Sequence, residues 1–387
     1  MPENTFNFIC LDPRKMKREN IARTLSGLGR ISWRKLVPLR IKRYPETLAR
    51  AENALDTSKN KPTGNVSTKV KLALLCAQYN GARALFEANR DAVAVAWNGL
   101  NGTRRVFMDG ARDAGARTLY FELSPFKNRI TVDPCGVNFR NGLPREAAPY
   151  LAWAEAHGSE QWRDVRETIH ARQSPPPGAK VTPEGELTDP FVFVPLQVPG
   201  DSQLRLFGGA FRTVEAVLET IAEAAKGLPE GWHVRLKEHP TSRIAFGDMI
   251  ERLKHPKLVL DNNTDTFAQV AAARVVVTVN SSVGLEAMFY EKPVVALGDC
   301  FWAIPGIANH CPTPGALRNT LSNPETISFD PSTRAAFLSF LVSEYYPKLD
   351  RDGDDGVLHQ DEGAKVVARL NGPNTLGFWA CPLEFAQ

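Results

Sequence analysis

The strongest constraint on the fold is a regular alternation of short apolar runs and amphipathic segments across residues 191–297. Apolar runs of this length predict buried strands, and the segments between them predict helices. The predicted strands are 191–196, 233–237, 257–260, 275–279 and 293–297. The predicted helices are 212–226, 245–253, 266–273 and 283–290. Strands joined by crossover helices form a parallel sheet covered on both faces, so this region is predicted to be a doubly wound α/β domain.

The N-terminal part shows the same alternation. Its apolar runs predict strands at 6–11, 71–76, 92–97 and 118–122, with helices at 83–89 and 103–114. The polar stretch 56–69 is predicted to be a surface loop. The run SPPPG within 172–190 cannot lie inside a helix or strand, and it is predicted to be an inter-domain linker. We therefore expect an N-terminal domain at 1–175, a C-terminal domain at 186–345 and a tail at 346–387, whose packing against the N-terminal domain is left open.

Length and composition are those of a soluble globular chain with two domains. The 387 residues are 43% apolar and 23% charged, and no apolar run reaches the roughly 18 to 20 residues that a membrane helix needs. The N-terminus lacks the basic-then-apolar order of a secretory signal, so we do not expect export.

The six cysteines form no C-x-x-C pair, and we interpret them as reduced thiols in a cytosolic protein. Asp350, Asp352 and Asp354 resemble the start of a calcium loop, but position six of that loop is Asp355 instead of Gly and position twelve is not Glu. We therefore interpret them as a solvated acidic turn.

Basic residues are concentrated near the N-terminus. The net charge of the chain is +4, but residues 1–50 hold 12 Lys/Arg against 4 Asp/Glu. They lie beside apolar and aromatic neighbours, as in Trp33-Arg34-Lys35. Three interpretations stay open: a solvated surface, contact with an anionic membrane or lipid substrate, and contact with nucleic acid. No DNA- or RNA-binding motif supports the third, so no nucleic-acid partner is expected.

Polar side chains follow several of the predicted strands. In an open parallel sheet, ligands bind beyond the carboxyl ends of the strands. In the C-terminal half these ends carry Gln197, Asp201, Ser202, Lys237, Glu238, His239, Pro240, Asn280, Ser281 and Ser282. In the N-terminal half they carry Asn98, Gly99 and Glu122. These residues are the candidates for a binding or catalytic site.

The turn Asn280-Ser281-Ser282 begins a predicted helix, with Glu286 about one turn later. Backbone N–H groups at a helix start and the positive end of the helix dipole favour a phosphate, and the two hydroxyls add donors. A carboxylate one turn on can accept hydrogen bonds from a ribose diol. The pattern therefore indicates a nucleotide site. The alternative makes Ser281 a helix N-cap and Glu286 a surface acid that compensates the dipole.

Lys237 and His239 alternate at the end of another predicted strand of the same sheet, so both can face the same side. A cation and an imidazole there would stabilise the charge of a departing phosphate ester. The alternative is a surface lysine beside a hydrogen-bonded histidine.

Four stretches carry a resemblance to a known family. The segments FVFVPLQVPGDSQL, KEHP and VNSSVGLEAMFYEKPVVALG, in this order, are similar to the capsule polysaccharide synthesis family of bacterial retaining β-Kdo glycosyltransferases. The N-terminal FELSPFKNRITVDPCGVNFRNGLPR resembles a further segment of that family. The resemblance covers about residues 92–300. It departs from the family at Leu123-Ser124-Pro125-Phe126, where members often have Gly-Tyr and an Arg-Pro pair.

The resemblance implies a GT-B fold, with two Rossmann-like domains facing each other across a cleft, and transfer from CMP-β-Kdo with retention. It implies that Asp201 is the carboxylate nucleophile and that Glu122 faces it from the acceptor domain. The alternative for Asp201 is a structural cap of the next helix through Ser202 and Gln203. The implied donor site comprises Gln197, Ser202, Lys237, His239, Pro240, Asn280, Ser281, Ser282 and Glu286. The implied acceptor side comprises Asn98, Arg129 and Asn138.

The residue types suit this chemistry. Retention by double displacement needs a carboxylate close to the anomeric carbon and a second group that activates the incoming hydroxyl. CMP leaves as a phosphate monoester, and Lys237, His239 and the helix start can supply positive donors. No metal or other cofactor is therefore expected.

The sequence thus predicts a cytosolic GT-B glycosyltransferase that transfers Kdo from CMP-β-Kdo to a phospholipid or glycolipid acceptor in capsule polysaccharide biosynthesis. Contact with the inner face of the cytoplasmic membrane is left open. Two alternatives remain: another CMP-sugar transferase, such as a sialyltransferase-like enzyme, and a non-catalytic glycolipid-binding or capsule-export accessory protein.

Overall fold

The computed structural model describes residues 6–58, 61–169, 187–349 and 360–381. By their internal contacts the residues form two compact units, Met1–Pro144 with Ser343–Gln387, and Arg145–Val342. Residues 145–169, which we predicted within the N-terminal domain, group with the second unit. The predicted linker at 172–190 lies mostly outside the described residues, and the acidic turn at 350–354 lies entirely outside them.

The first unit begins with β1 (Phe6–Leu11), α1 (Lys15–Leu25), β2 (Gly29–Arg34), α2 (Thr47–Asp56), α3 (Asn65–Glu87), β3 (Ala92–Trp97), α4 (Gly102–Asp113), β4 (Arg117–Leu123) and β5 (Ile130–Asp133). Its sheet has the order β2-β1-β3-β4-β5, with β5 as an antiparallel edge strand and all other neighbours parallel. The strand β3 reads AVAVAW and is buried along its whole length, as expected where helices cover both faces. The predicted strands at 6–11, 92–97 and 118–122 are confirmed.

The predicted strand at 71–76 is wrong, because these residues lie inside the helix α3. Leu75, Cys76, Tyr79, Ala82 and Phe86 are buried along one side of this helix, with the three- and four-residue spacing of an amphipathic helix. The apolar run is short, and periodicity within so few residues does not distinguish a strand from a helix. The predicted loop at 56–69 likewise gives way to helix from residue 65 onward.

The second unit contains α5 (Ala148–His157), α6 (Arg163–Arg166), β6 (Phe191–Pro195), α7 (Ser202–Phe207), α8 (Val214–Ala225), β7 (His233–Lys237), α9 (Gly247–Arg252), β8 (Leu258–Leu260), α10 (Thr266–Ala272), β9 (Val275–Thr278), α11 (Ser282–Met288), β10 (Val294–Ala296), β11 (Asn309–His310), α12 (Pro314–Leu321) and α13 (Pro331–Phe340). Its parallel sheet has the order β11-β10-β9-β6-β7-β8. Every strand and helix predicted between 191 and 297 is confirmed, so this unit is the predicted doubly wound domain.

The core of the second unit lies between its sheet and α8. Val192, Val234 and Val277 on three neighbouring strands pack in one apolar cluster with Leu218 and Ile221 of α8. The two α8 residues are three positions apart, so they lie on the same face of the helix. Short helical turns at Asn138–Arg140, Pro324–Thr326 and Leu341–Tyr345 complete the secondary structure. Among the helices that the structure describes, none is long and apolar enough to cross a bilayer.

The C-terminal residues pack into the first unit. The helix α14 (Gln360–Leu370) carries Arg369, which is buried and donates to the carbonyl oxygens of Val132 and Glu344. Its guanidinium lies over the ring of Trp379, 4.4 Å from the centroid. A buried guanidinium needs such acceptors, so this side chain ties the C-terminal segment to β5.

The prediction of six reduced cysteines is wrong for one pair. Cys135 and Cys381 form a disulfide bond, although they are 246 positions apart in the sequence. The return of the C-terminal segment brings them together, which a local sequence pattern does not reveal. The remaining four cysteines are free and buried.

Candidate functional site

The second unit gathers several polar strand ends around one cavity. The chain runs from β6 outward to β7 and β8, and then adds β9 on the other side of β6. Ligands of doubly wound sheets bind beyond the carboxyl ends at such a reversal. A cavity of about 250 Å³ is lined there by Lys237, His239, Pro240, Ser281, Ser282 and Glu286, together with apolar residues such as Leu196 and Phe267. The structure therefore brings together six of the nine predicted donor-site residues.

The start of α11 forms one wall of the cavity. Ser281 is the N-cap of this helix, because its Oγ accepts a hydrogen bond from the backbone N–H of Val283 at 3.3 Å. Ser282 Oγ donates to Glu286 Oε2 at 3.4 Å. Glu286 is only 5% exposed, so it is not the surface acid of the alternative interpretation. A buried carboxylate that reaches a cavity is suited to accept hydrogen bonds from a ligand.

Gly284, which lies between Ser282 and Glu286 in the sequence, has a packing role. A Cβ at Gly284 would lie 2.6 Å from the Trp302 ring and 2.8 Å from the Thr278 methyl group. Without a side chain at this position, the first turn of α11 can lie directly against the end of β9. The close contact holds Ser282 and Glu286 at the cavity.

Lys237 and His239 lie on the other side of the cavity, after β7. Lys237 Nζ donates to the carbonyl oxygens of Asn262 and Thr264 at 2.8 and 2.7 Å, and burial lowers its pKa. An ammonium has three N–H donors, so one is left for a ligand. His239 Nδ1 accepts from the backbone N–H of Thr241 at 3.2 Å. The neutral imidazole therefore carries its proton on Nε2, where it acts as a donor.

Gln197 and Asn280 connect the ends of β6 and β9 and do not line the cavity. Gln197 Nε2 donates to Asn280 Oδ1 at 3.0 Å, and the backbone N–H of Asn280 donates to Gln197 Oε1 at 3.2 Å. Asn280 Nδ2 also donates to the carbonyl oxygen of Gln203 in α7 at 3.0 Å. This geometry is that of a brace between two strand ends, which holds the cavity walls in place.

Asp201 is the N-cap of α7. Its Oδ1 accepts a hydrogen bond from the backbone N–H of Gln203 at 3.0 Å, and its neighbour Ser202 is buried in the first turn of the helix. This is the structural cap considered as the alternative. The cap occupies one carboxylate oxygen, so it orients the group and leaves the second oxygen for another role.

The first unit holds a second polar group at the ends of β3 and β4. Glu122 accepts hydrogen bonds from Trp97 Nε1 at 3.1 Å, from Asn98 Nδ2 at 2.8 Å and from the backbone N–H of Leu123 at 3.0 Å. Asn98 has a left-handed backbone with φ of 65°, which asparagine adopts more readily than most residues. Two predicted residues, Glu122 and Asn98, are therefore in direct contact.

Arg104 and Lys17 belong to the same group, although neither is among the predicted site residues. Burial lowers the pKa of Arg104, and the nearby Glu122 carboxylate opposes this shift. Lys17 Nζ lies 4.8 Å from the centroid of the Trp97 ring. The strand order of this sheet reverses between β1 and β3, and a residue near the start of α1 or α4 reaches that point. Position after a strand end was the signal that could have found both residues.

The other two predicted acceptor residues lie elsewhere. Arg129 Nη1 donates to the carbonyl oxygen of Tyr346 at 2.7 Å, and its backbone bridges to Lys348, so it anchors the C-terminal segment. Asn138 follows β5, which runs antiparallel to β4. It therefore lies at the opposite end of the sheet from Glu122, and the structure does not bring the two together.

The cavity offers hydrogen-bond donors for an anion. Within the described ranges, no group of three or more His, Cys, Asp or Glu side chains could hold a metal ion. Lys237, His239 and the start of α11 present N–H and O–H donors to the cavity. A phosphate is the chemical group that such a set fits best.

The central part of the chain matches a known family. Residues 163–326 fit the family model described as "Capsule polysaccharide biosynthesis protein". This range includes every residue of the predicted donor site and the whole cavity.

Two relatives are similar to part of the chain. The chain is 31% identical over 257 residues to Protein FixF of Sinorhizobium fredii, which is 66% of this chain and 60% of FixF. It is 31% identical over 129 residues to the capsule polysaccharide modification protein LipB of Neisseria meningitidis, which is 31% of this chain and 30% of LipB. The chain thus spans less than two thirds of the length of either relative.

A solved structure extends the likeness to both units. The structure of Thermosulfurimonas dismutans KpsC, described as a beta Kdo 2,7 transferase, matches with a TM-score of 0.53 and 14% identity, covering 94% of this chain and 99% of that chain. At this identity the match concerns the fold. Together with the two Rossmann-like units, it confirms the predicted α/β fold class of the GT-B type.

Proposed function

We propose that the chain, whose residues 163–326 match the family model of capsule polysaccharide biosynthesis proteins, is a glycosyltransferase with a CMP-sugar donor. The proposed reaction transfers Kdo from CMP-β-Kdo, with retention, to a phospholipid or glycolipid acceptor. One observation carries the proposal: Lys237, His239, Ser282 and Glu286, from two separate strand ends, meet at one cavity.

The cavity suits the nucleotide part of the donor. Its volume of about 250 Å³ is slightly below the roughly 300–1,000 Å³ typical of ligand pockets, so it fits CMP better than a complete nucleotide sugar. The third N–H of Lys237 and Nε2–H of His239 would donate to the phosphate, and the Ser282 hydroxyl would turn away from Glu286 Oε2 to do the same. Glu286 would accept hydrogen bonds from the ribose diol, with Phe267 as part of the apolar wall.

The departure of CMP needs positive charge and hydrogen-bond donors, which these side chains supply. The bond between the anomeric carbon and the phosphate oxygen breaks, and the electron pair leaves with CMP. Preorganised donors that point to the oxygen where charge develops lower this barrier. The step requires no metal in this scheme.

Asp201 and Glu122 would share the transfer itself. The Asp201 oxygen that is not held by Gln203 attacks the anomeric carbon and forms a glycosyl ester as CMP leaves. The acceptor hydroxyl then attacks the same carbon, gives its proton to Glu122 and releases the Asp201 carboxylate. Two inversions give net retention, as in other double-displacement enzymes.

The acceptor side contributes charge as well. Arg104 and Lys17, close to Glu122 and Trp97, would pair with an anionic headgroup next to the reacting hydroxyl. A phospholipid or an acidic glycolipid has such a group, and a lipid acceptor would bring the reaction to the inner face of the cytoplasmic membrane.

The decisive experiment is incubation of the protein with CMP-Kdo and bacterial lipid extracts, followed by mass spectrometry of the lipids. A lipid whose mass increases by one Kdo residue is expected. Ser282→Ala should lower turnover, whereas Ser332→Ala, in the exposed first turn of α13, should not. If no lipid gains Kdo and CMP stabilises the protein no better than UDP or ADP, the proposal fails.

A further inference from the structure

The first unit exposes large apolar side chains on two neighbouring segments. One segment is the loop after β2, and the other is the first half of α3. Six side chains on them are between 45% and 92% exposed: Leu36, Leu39, Ile41, Val66, Val70 and Leu74. The three helix residues are four positions apart, so they form a stripe along one face of α3. We refer to these six residues as the 36–74 surface.

Backbone contacts hold the loop along the helix. The backbone N–H of Arg40 donates to the carbonyl oxygen of Ala77 at 3.0 Å, and Asn80 Nδ2 donates to the carbonyl oxygen of Arg40 at 3.1 Å. A Cβ at Gly81 would lie 1.8 Å from the carbonyl oxygen of Pro38, so a glycine is required for this approach. The loop therefore meets α3 at Ala77, within one turn of Leu74 at the end of the apolar stripe.

The two segments that carry this surface hold basic side chains and no acidic ones. Residues 34–43 contain five Lys/Arg and no Asp/Glu, and residues 65–74 contain two Lys and no Asp/Glu. Arg34, Lys35, Lys42, Arg43 and Lys69 are exposed. Continuous apolar patches of this kind mark interaction sites on soluble proteins, and the partner has to be both apolar and anionic.

We propose that the 36–74 surface docks on an anionic lipid bilayer. Aliphatic side chains enter the boundary between headgroups and acyl chains, while the surrounding Lys and Arg side chains contact anionic headgroups. The inference deepens the proposed function, on which it rests for its lipid acceptor. The binding itself depends only on the surface.

The charge pattern favours a bilayer over other partners. A symmetric contact between two copies would bring the same basic segments together, and like charges facing each other oppose association. A nucleic acid would use the basic residues but would gain little from exposed Leu, Ile and Val, which neither stack on bases nor contact phosphate. A bilayer uses both features.

Vesicle sedimentation of the full chain tests the proposal. The vesicles contain phosphatidylcholine alone or equal parts of phosphatidylcholine and phosphatidylglycerol. We expect binding to the anionic vesicles only, with weaker binding at high salt. The triple variants Leu36→Ser/Leu39→Ser/Ile41→Ser and Val66→Ser/Val70→Ser/Leu74→Ser should each bind at least tenfold more weakly.

Two further variants test the contribution of charge and provide a control. Arg34→Glu/Lys35→Glu should weaken binding by at least about 25-fold, since each basic residue near an anionic surface contributes about fivefold. Ile244→Ser is the matched control, because Ile244 is an exposed aliphatic residue of the second unit, and it should bind like the wild type. Unchanged melting temperatures exclude unfolding as the cause, which is expected because all the replaced side chains are exposed.

Several outcomes would overturn the inference. Wild-type protein that ignores anionic vesicles, or triple variants that bind as well as wild type, would do so. Dimers in light scattering that the same triple variants dissociate would assign the surface to self-association. Assay of Kdo transfer to a soluble acceptor keeps the two proposals apart. Protein that binds vesicles without transferring Kdo refutes the function, and protein that transfers Kdo but ignores vesicles refutes the docking surface.

Discussion

The role of Asp201 can be decided by two substitutions at one position. Asp201 Oδ1 accepts the backbone N–H of Gln203 at 3.0 Å and so caps α7. Asparagine is as good an N-cap as aspartate, because its side-chain oxygen accepts the same hydrogen bond. Asp201→Asn therefore keeps the cap and removes the nucleophile, whereas Asp201→Ala removes both.

The expected magnitudes differ strongly between the two roles. Loss of an N-cap costs about 1 kcal/mol of stability, which corresponds to a few degrees at most in the melting temperature of a chain this long. Asp201→Asn should thus melt close to wild type, and Asp201→Ala slightly lower. Closing a covalent route should raise the barrier by at least about 4 kcal/mol, or roughly a thousandfold in turnover. Both variants should lose Kdo transfer to this extent and keep CMP affinity.

The assay combines thermal unfolding, CMP titration and Kdo transfer followed by mass spectrometry. Asp330 is the matched control, since it caps α13 through the backbone N–H of Thr333 and is exposed away from the cavity. Asp330→Asn and Asp330→Ala should repeat the pattern in stability and leave turnover unchanged. If Asp201→Asn retains a tenth of wild-type activity, Asp201 is a cap and not the nucleophile.

Three further predictions concern the cavity and the first unit. CMP should stabilise the protein more than UDP or ADP, and equal affinity for CMP and UDP would contradict the donor assignment. Ser282→Ala should weaken CMP binding by at least about tenfold, the loss expected for one hydrogen bond to a charged group. Burial raises the pKa of Asp133 to about 6, so its contribution to stability is present below its unfolded pKa of about 4 and is lost as the pH rises to about 6. In urea denaturation, the free energy of unfolding of the wild type should fall by up to about 3 kcal/mol over this pH range, and Asp133→Asn should not show this fall. An equal fall in the variant would refute the assignment. Labelling of denatured, unreduced protein should count four free thiols, because Cys135 and Cys381 are joined, and six would disprove the disulfide.

The second unit could be predicted almost completely from the sequence, because its signals are local. The strand β7 has the bounds predicted for it, and β6 and β9 differ from the prediction by one residue. Each is a short apolar run with polar or turn residues after it, and burial on both faces makes such runs continuous. The candidate residues were chosen at the same strand ends, which is why six of the nine line one cavity.

The features that failed depend on distant parts of the chain. The run at 71–76 is buried on one side by other helices, and only the full length of α3 reveals its helical period. The strands β2 and β5, which we did not predict, lie at the two edges of their sheet. The cysteine pair and the contact of Arg129 with Tyr346 require the C-terminal segment to return to the first unit. No local pattern carries that information.

The same topological rule locates the polar groups of both units, which explains why the positions of site residues were easier to predict than their roles. In the first sheet the strand order reverses between β1 and β3, and Trp97, Asn98 and Glu122 follow the strands there. In the second sheet it reverses between β6 and β9, and Gln197 and Asn280 join the two strand ends. A reversal leaves space between diverging helices, so polar side chains collect there whatever they do. Hydrogen bonding then separates the roles. Mutual bonds make Gln197 and Asn280 a brace, whereas Lys237 lines the open cavity with one of its three N–H donors unused.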